Sequence, residues 1–138
     1  MSVKLCAGER LRAGGKVLVI DDEPSVADAL KVILEDQSFV VATAPTGRAG
    51  IEQACRAAFD VVITDLRLPD VDGLEVIAAV REGGMDGVII LITSHVTEEI
   101  FARARERGAD GVAAKPFLPA EIIKLIAAAL AGRGATRP

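Results

Sequence analysis

A chain of 138 residues, 51% of them hydrophobic, has the size of one globular domain with its own core, and it is too apolar to be a disordered chain. Its formal net charge of −4, with no Trp and no Tyr, argues against a nucleic-acid surface, which needs a basic face and stacking aromatics. No apolar stretch approaches the roughly 20 residues a bilayer requires, and the two cysteines, Cys6 and Cys55, lack CxxC spacing, which suits a reducing cytoplasm and argues against a thiolate metal centre.

Residues 1–15 mix Lys4, Glu9, Arg10 and Arg12 with small residues and lack the apolar core of a signal peptide, so they read as a flexible tail. From there strand and helix patterns alternate five times. The first strand is Lys16–Ile20. The first helix opens at Pro24, a residue favoured at the first helical position, and its inward stripe is Val26, Ala29, Leu30 and Ile33. Phe39–Thr43 is the second strand. Thr46 is placed to cap the second helix, with a stripe of Ile51, Ala54, Cys55 and Ala58.

The third strand is Asp60–Thr64, followed by a polar turn from Asp65 to Gly73. Asp70 and Asp72 read as loop formers and a cap for the third helix, which carries Leu74, Ile77, Ala78 and Val80 and stops at Gly83-Gly84. Val88–Ile92 is the fourth strand. The fourth helix runs from Thr97 to Arg107, with Arg103, Arg105 and Arg107 on a solvated face, and Gly108 ends it. Gly111–Ala114 is the fifth strand. Pro119 opens the fifth helix, whose main stripe is Ile122, Leu125, Ile126, Ala129 and Leu130. Ile123 and Ala127 lie off that stripe and suggest an outer apolar face. The domain is expected to span 16–131, with 132–138 a C-terminal tail or the start of a linker.

Apolar runs without alternation are what strands look like when both faces are buried, and regular βα alternation gives a parallel sheet covered by helices on each side. The fold expected is α/β: a five-stranded parallel sheet in the order 2-1-3-4-5, a flavodoxin-like three-layer sandwich. In such a sheet the C-terminal strand ends share one edge, where ligands bind. The strands end in Asp21-Asp22, in Asp65, in Thr93-Ser94 and in Lys115-Pro116. Three carboxylates, a hydroxyl and an ammonium brought together there would suit a divalent cation and a phosphoryl group.

Those motifs also carry a family resemblance. Val-Leu-Val-Ile-Asp21-Asp22-Glu-Pro, Thr-Asp65-Leu-Arg-Leu-Pro69-Asp-Val-Asp-Gly73, Thr93-Ser94 and Lys115-Pro116-Phe117, in that order over about Lys16 to Ala131, resemble the receiver domain of two-component response regulators, the CheY-like superfamily. The resemblance implies that Asp65 accepts a phosphoryl group from a histidine kinase or a histidine phosphotransfer protein. It implies Mg²⁺ (or Mn²⁺) held by Asp22, Asp65 and the backbone carbonyl of Arg67, with Asp21 acting through water. Thr93 would hydrogen-bond the phosphoryl group, Lys115 would pair with it, and the Lys115-Pro116 bond would be cis. Movement of Thr93 would then alter a surface on the fourth helix, fifth strand and fifth helix, read by a protein partner or by a second copy. No membrane and no direct nucleic-acid contact are implied.

Three positions vary from the family pattern or tune it. Val112 stands where the family usually has a switch aromatic in the fifth strand, so that part of the switch is absent or taken over, with Phe101 as a substitute or simply a packing residue. Arg67 and His95 occupy positions that tune phosphoryl lifetime in relatives. The chain reads as a phosphoacceptor rather than a turnover enzyme, either free-standing or a piece of a longer regulator with an output domain. A haloacid dehalogenase-like phosphatase would need an acid two residues after Asp65, where Arg67 stands. A flavin site would place its phosphate against Asp21-Asp22-Glu23.

Overall fold

Five apolar runs become five adjacent parallel strands. In this computed structural model, residues 15–136 are described, with side chains through residue 132. The strands are β1 (Lys16–Ile20), β2 (Val40–Ala44), β3 (Val61–Asp65), β4 (Val88–Thr93) and β5 (Gly111–Ala114). They form one sheet in the order β2-β1-β3-β4-β5, the expected topology. Between and after them lie α1 (Pro24–Glu35), α2 (Gly47–Arg56), α3 (Gly73–Glu82), α4 (Glu98–Arg107) and α5 (Pro119–Thr136). β3 and β4 are buried along their whole length, which is why their sequences show no polar alternation.

Side chains alternate across the sheet into two cores. Val17, Val19, Val61, Ile63, Ile90 and Ile92 pack with Leu30 and Leu34 of α1 and Ile122 and Ile126 of α5. Leu18, Ile20, Val62, Ile89 and Leu91 pack with Leu74, Val76, Ile77 and Val80 of α3 and Ala104 of α4. Each fully buried Val, Leu or Ile contributes about 1.5–3 kcal/mol, so the β3–β4 centre is the stable heart of the sheet. α4 is thinly anchored: Ala104 is its one fully buried residue, with Ile100 partly buried against the same core.

Several sequence expectations are corrected in detail. α1 buries Ala27, Leu30 and Leu34; Ala29 is exposed and Val26 and Ile33 are half-buried. α1 is apolar on more than one side, so its stripe had two readings one residue apart. α2 buries Gly47 and Gly50, while Cys55 is exposed and Ala58 lies beyond the helix. A Cβ on Gly50 would collide with Ile20, and one on Gly47 with Val71; α2 seats itself through absent side chains. Ile123 is buried rather than part of an outer face. α5 continues to Thr136, past Ala131 where the last helix was expected to stop. β2 and β3 each begin one residue later than expected, and β4 includes Thr93. Gly15 belongs to the fold, its carbonyl accepting from Val40 N at 2.8 Å. The rest of the expected N-terminal tail lies outside the described residues, as do Cys6 and residues 137–138.

The caps explain the helix starts. Thr46 accepts from Ala49 N and Thr97 from Ile100 N, each at 3.1 Å. Asp72 and Glu75 form a reciprocal capping box on α3. Gly108 ends α4 with φ +115°, a conformation that glycine adopts without strain. There the Arg81 guanidinium donates to Gly108 O at 2.8 and 3.0 Å, to Met85 O at 2.9 Å and to Gly87 O at 2.8 Å. It also pairs with Asp110 at 3.0 Å.

Candidate functional site

Strand register decides which side chains meet. Ile20 is level with Thr64, so the next residues, Asp21 and Asp65, leave the sheet side by side. Asp65 is level with Ile92 and Thr93 with Ala114, which sets Thr93 and Lys115 at the same edge. Lys115 N donates to Thr93 O at 2.9 Å, and the Lys115-Pro116 bond is cis.

The Lys115 ammonium sits among three carboxylates. Nζ is 2.9 Å from Glu23 Oε1, 3.2 Å from Asp21 Oδ2 and 3.3 Å from Asp65 Oδ2. Only the contact to Glu23 has hydrogen-bond geometry among these three. Asp21 Oδ2 is buried and receives no hydrogen bond, while Asp21 Oδ1 accepts from Glu23 N at 2.9 Å. Burial pushes the Asp21 and Asp65 carboxyls above the ordinary value of 3.8, although Lys115 draws both back. Burial alone would weaken the Lys115 ammonium; the Glu23 hydrogen bond and the charges of Asp21 and Asp65 outweigh it and hold the amine protonated.

Carboxylate oxygens of Asp21, Asp22 and Asp65 lie within 4.8 Å of one another, with Asp21 and Asp65 buried and Asp22 exposed. A hard divalent cation takes oxygen ligands of this kind and keeps several waters. Asp21 Oδ2, which receives no hydrogen bond and faces only the Lys115 ammonium at 3.2 Å, and the open side at Asp22 fit Mg²⁺. The Thr93 hydroxyl is buried at the edge and accepts from His95 N at 3.1 Å, which leaves its own proton to donate. The Leu66 N–H donates to Ile92 O at 3.0 Å, and after Lys115 the nearby Leu66 and Arg67 amides also draw the Asp65 carboxyl back. The Arg67 and His95 side chains are exposed. Val112 is half-buried against the α3/α4 core. Phe101 is 43% exposed with the Arg105 guanidinium 5.7 Å from its ring centroid, so it is not a core packing residue.

Three supporting residues were not foreseen in these roles. Glu23 reaches Lys115 across 92 positions of sequence, and no local pattern signals such a pair. Asp70, read only as a loop former, accepts from Gly47 N at 2.8 Å and Arg48 N at 2.9 Å, tying the loop after Asp65 to the start of α2. Those bonds, from Arg48 first and then Gly47 and Val71, hold its carboxyl below 3.8. Gly73, read as a turn residue, lies against the Asp65 backbone: a Cβ there would collide with Asp65 O and sit 2.9 Å from Leu66 Cα. Gly73→Ala is therefore expected to shift the Asp65 backbone and to cost about 1–3 kcal/mol, as overpacking does. Urea unfolding measures it, and a midpoint equal to the parent's would show that the loop yields freely.

Comparisons with known proteins speak to the family and the fold. A family model described as "Response regulator receiver domain" matches residues 17–127. The transcriptional regulatory protein KdpE of Mycobacterium tuberculosis is 36% identical over 114 residues, covering 83% of this chain and 50% of that protein; the chain spans about half the length of that curated relative. A response regulator protein from Burkholderia pseudomallei, solved with a phosphorylated aspartic acid, a calcium ion and citrate, superposes with a TM-score of 0.78 at 26% identity, covering 88% of this chain and 71% of that one. The beryllofluoride-activated NtrC4 receiver domain dimer matches with a TM-score of 0.79 at 32% identity, covering 85% and 97%.

Proposed function

The chain belongs to the response regulator receiver family, and from that premise we propose that Asp65 is its phosphoacceptor in a two-component phosphorelay. What supports the reading most is Lys115 Nζ, 3.3 Å from Asp65 Oδ2 at a strand edge that also holds Asp21, Asp22 and Thr93. An oxygen of Asp65 attacks phosphorus, the bond from phosphorus to the donor breaks, and the donor leaves with the electron pair. The donor would be a histidine kinase or a histidine phosphotransfer protein. Lys115 offsets negative charge on the transferring group, and positioning with charge neutralisation is most of what a protein supplies to this chemistry. Mg²⁺, held by Asp22, Asp65 and the Arg67 carbonyl with Asp21 through water, would supply further positive charge on the phosphoryl oxygens. Arg67 and His95 are placed at the rim to tune how long the acyl phosphate survives.

The phosphoryl group on Asp65 carries about −1.5 to −2 charge and three acceptor oxygens, in place of the single charge of the free carboxylate. The Thr93 hydroxyl donates to one of them and draws the loop before α4 inward. α4 has a single fully buried residue, Ala104, so its face, with β5 and α5, changes for a downstream partner or a second copy. Val112 offers no ring to swing, so the response runs through the Thr93 loop. Among the described residues no helix is long and apolar enough to cross a membrane, and we place the relay in the cytoplasm. The chain takes part in its own phosphorylation without turning over a separate substrate.

The test is incubation with Mg²⁺ and acetyl phosphate followed by intact mass measurement. One added phosphoryl group is expected for the parent and for Thr93→Ala; an unchanged parent mass overturns the reading. A second expectation concerns the ion. Millimolar Mg²⁺ should raise the melting temperature, because an ion bound only by the folded chain stabilises it, and Asp22→Ala should lose most of that gain. A melting curve indifferent to Mg²⁺ counts against the site.

A further inference from the structure

Glu23 is the N-cap residue of α1, yet its side chain makes no capping hydrogen bond. The carboxylate instead binds Lys115 Nζ at 2.9 Å, the shortest of the three contacts that ammonium makes with acids. Lys115 is directed at Glu23, which leaves the buried Asp21 Oδ2 without a hydrogen bond. Glu23 is 57% exposed, against 12% for Lys115, so it holds the ammonium from the mouth of the pocket.

We propose that Glu23 is a positioning residue that tethers Lys115 in the unphosphorylated protein and competes with the phosphoryl group for it. The inference rests on the reading of Asp65 as phosphoacceptor. An acyl phosphate on Asp65 presents new anionic oxygens beside an ammonium that must turn from Glu23 to meet them. Whatever Glu23 contributes to the resting state is lost on that turn. The tether thereby biases the chain toward the unphosphorylated form. A second consequence is on α1: its first turn is tied to β5 through Lys115 at rest and is released when the ammonium turns.

The experiment uses beryllofluoride at saturating Mg²⁺, as an anion that adds to the acceptor carboxylate without covalent turnover, with affinity read by calorimetry. Glu23→Gln should bind it about three- to tenfold more tightly than the parent, the range set by one charge-assisted hydrogen bond at a partly exposed site. Glu23→Asp keeps the charge but withdraws its oxygen by one methylene, and it should behave like Glu23→Gln. Affinity equal to or weaker than the parent's in Glu23→Gln overturns the tether. Tighter binding in Glu23→Gln with parent-like binding in Glu23→Asp also overturns it, since a charge acting through space would then suffice. A parent that binds no beryllofluoride removes the phosphoacceptor reading, and the tether with it.

Discussion

Asp65→Asn is expected to take up no phosphoryl group from acetyl phosphate, and its metal-free form is expected to melt at a higher temperature than the parent. The first result follows from chemistry: an amide nitrogen or oxygen does not replace a carboxylate oxygen as the nucleophile that forms an acyl phosphate. The second follows from packing. Asp21 and Asp65 are buried carboxylates beside each other, and a single ammonium, shared with Glu23, answers them. Burial raises both carboxyls above 3.8, which means that the folded chain holds their charged forms unwillingly. An isosteric neutral amide at position 65 removes one of the two and leaves Lys115 to Asp21 and Glu23.

The same shifts give a pH dependence with a definite sign. A carboxyl whose folded value is raised binds protons more tightly folded than unfolded, so its contribution is fully present below 3.8 and is lost as pH rises through the folded value. Asp70 runs the other way: its carboxyl is held below 3.8, so its contribution is present above 3.8 and is lost as pH falls through the folded value. The difference between parent and Asp65→Asn cancels Asp70 and isolates the pocket. Metal-free stability of the variant relative to the parent should therefore grow as pH rises from 3.8 toward neutrality, and Mg²⁺ should close the gap by stabilising the parent. A difference flat with pH, or a variant that melts below the parent, would mean that the pocket relaxes its charge by admitting water. Phosphoryl uptake by the variant would place the acceptor elsewhere.

Strand ends were legible because a doubly buried strand leaves a continuous apolar run, and a polar residue at its close has one place to go, the sheet edge. Ile20 before Asp21 and Thr64 before Asp65 follow that rule; β5 is an edge strand, half-buried at Val112 and Ala113 and exposed at Ala114, and parallel pairing then fixes who stands beside whom. Helix faces were less legible. α1 carries Val26, Ala27, Ala29, Leu30, Val32, Ile33 and Leu34, so apolar spacing alone admits more than one stripe. α2 is seated by Gly47 and Gly50, residues that an apolar pattern counts as nothing. Long-range polar pairs left no trace in local sequence: Glu23 with Lys115, Asp70 with the start of α2, Arg81 with Gly108 and Asp110. Each depends on where the chain returns after dozens of residues, which is a property of packing.

Arg81→Leu is expected to cost about 2–4 kcal/mol of folding stability, the range between an ordinary hydrogen-bond loss and a broken buried ion pair. The guanidinium lies at the edge of the sheet opposite the acidic pocket. There it gathers Gly108 at the end of α4, Met85 and Gly87 in the turn before β4, and Asp110 before β5. Asp110 Oδ2 also accepts from Ile89 N at 2.9 Å, so one carboxylate links the start of β4 to the guanidinium. Leucine keeps the apolar stem and removes every donor, leaving three carbonyls and a carboxylate to find water at a site where both charged side chains are only 20% exposed. Lysine restores a charge but not the planar fork, and it should recover part of the loss. Urea unfolding with all three proteins measures the series. The clamp holds the C-terminal end of α4 while Ala104 is that helix's one fully buried residue, so its loss should also loosen α4 and leave Mg²⁺ binding at the opposite edge intact in the folded fraction. Arg81→Leu within about 0.5 kcal/mol of the parent, the scale of an ordinary surface substitution, would mean that water replaces the clamp and that α4 is held by its apolar contacts alone.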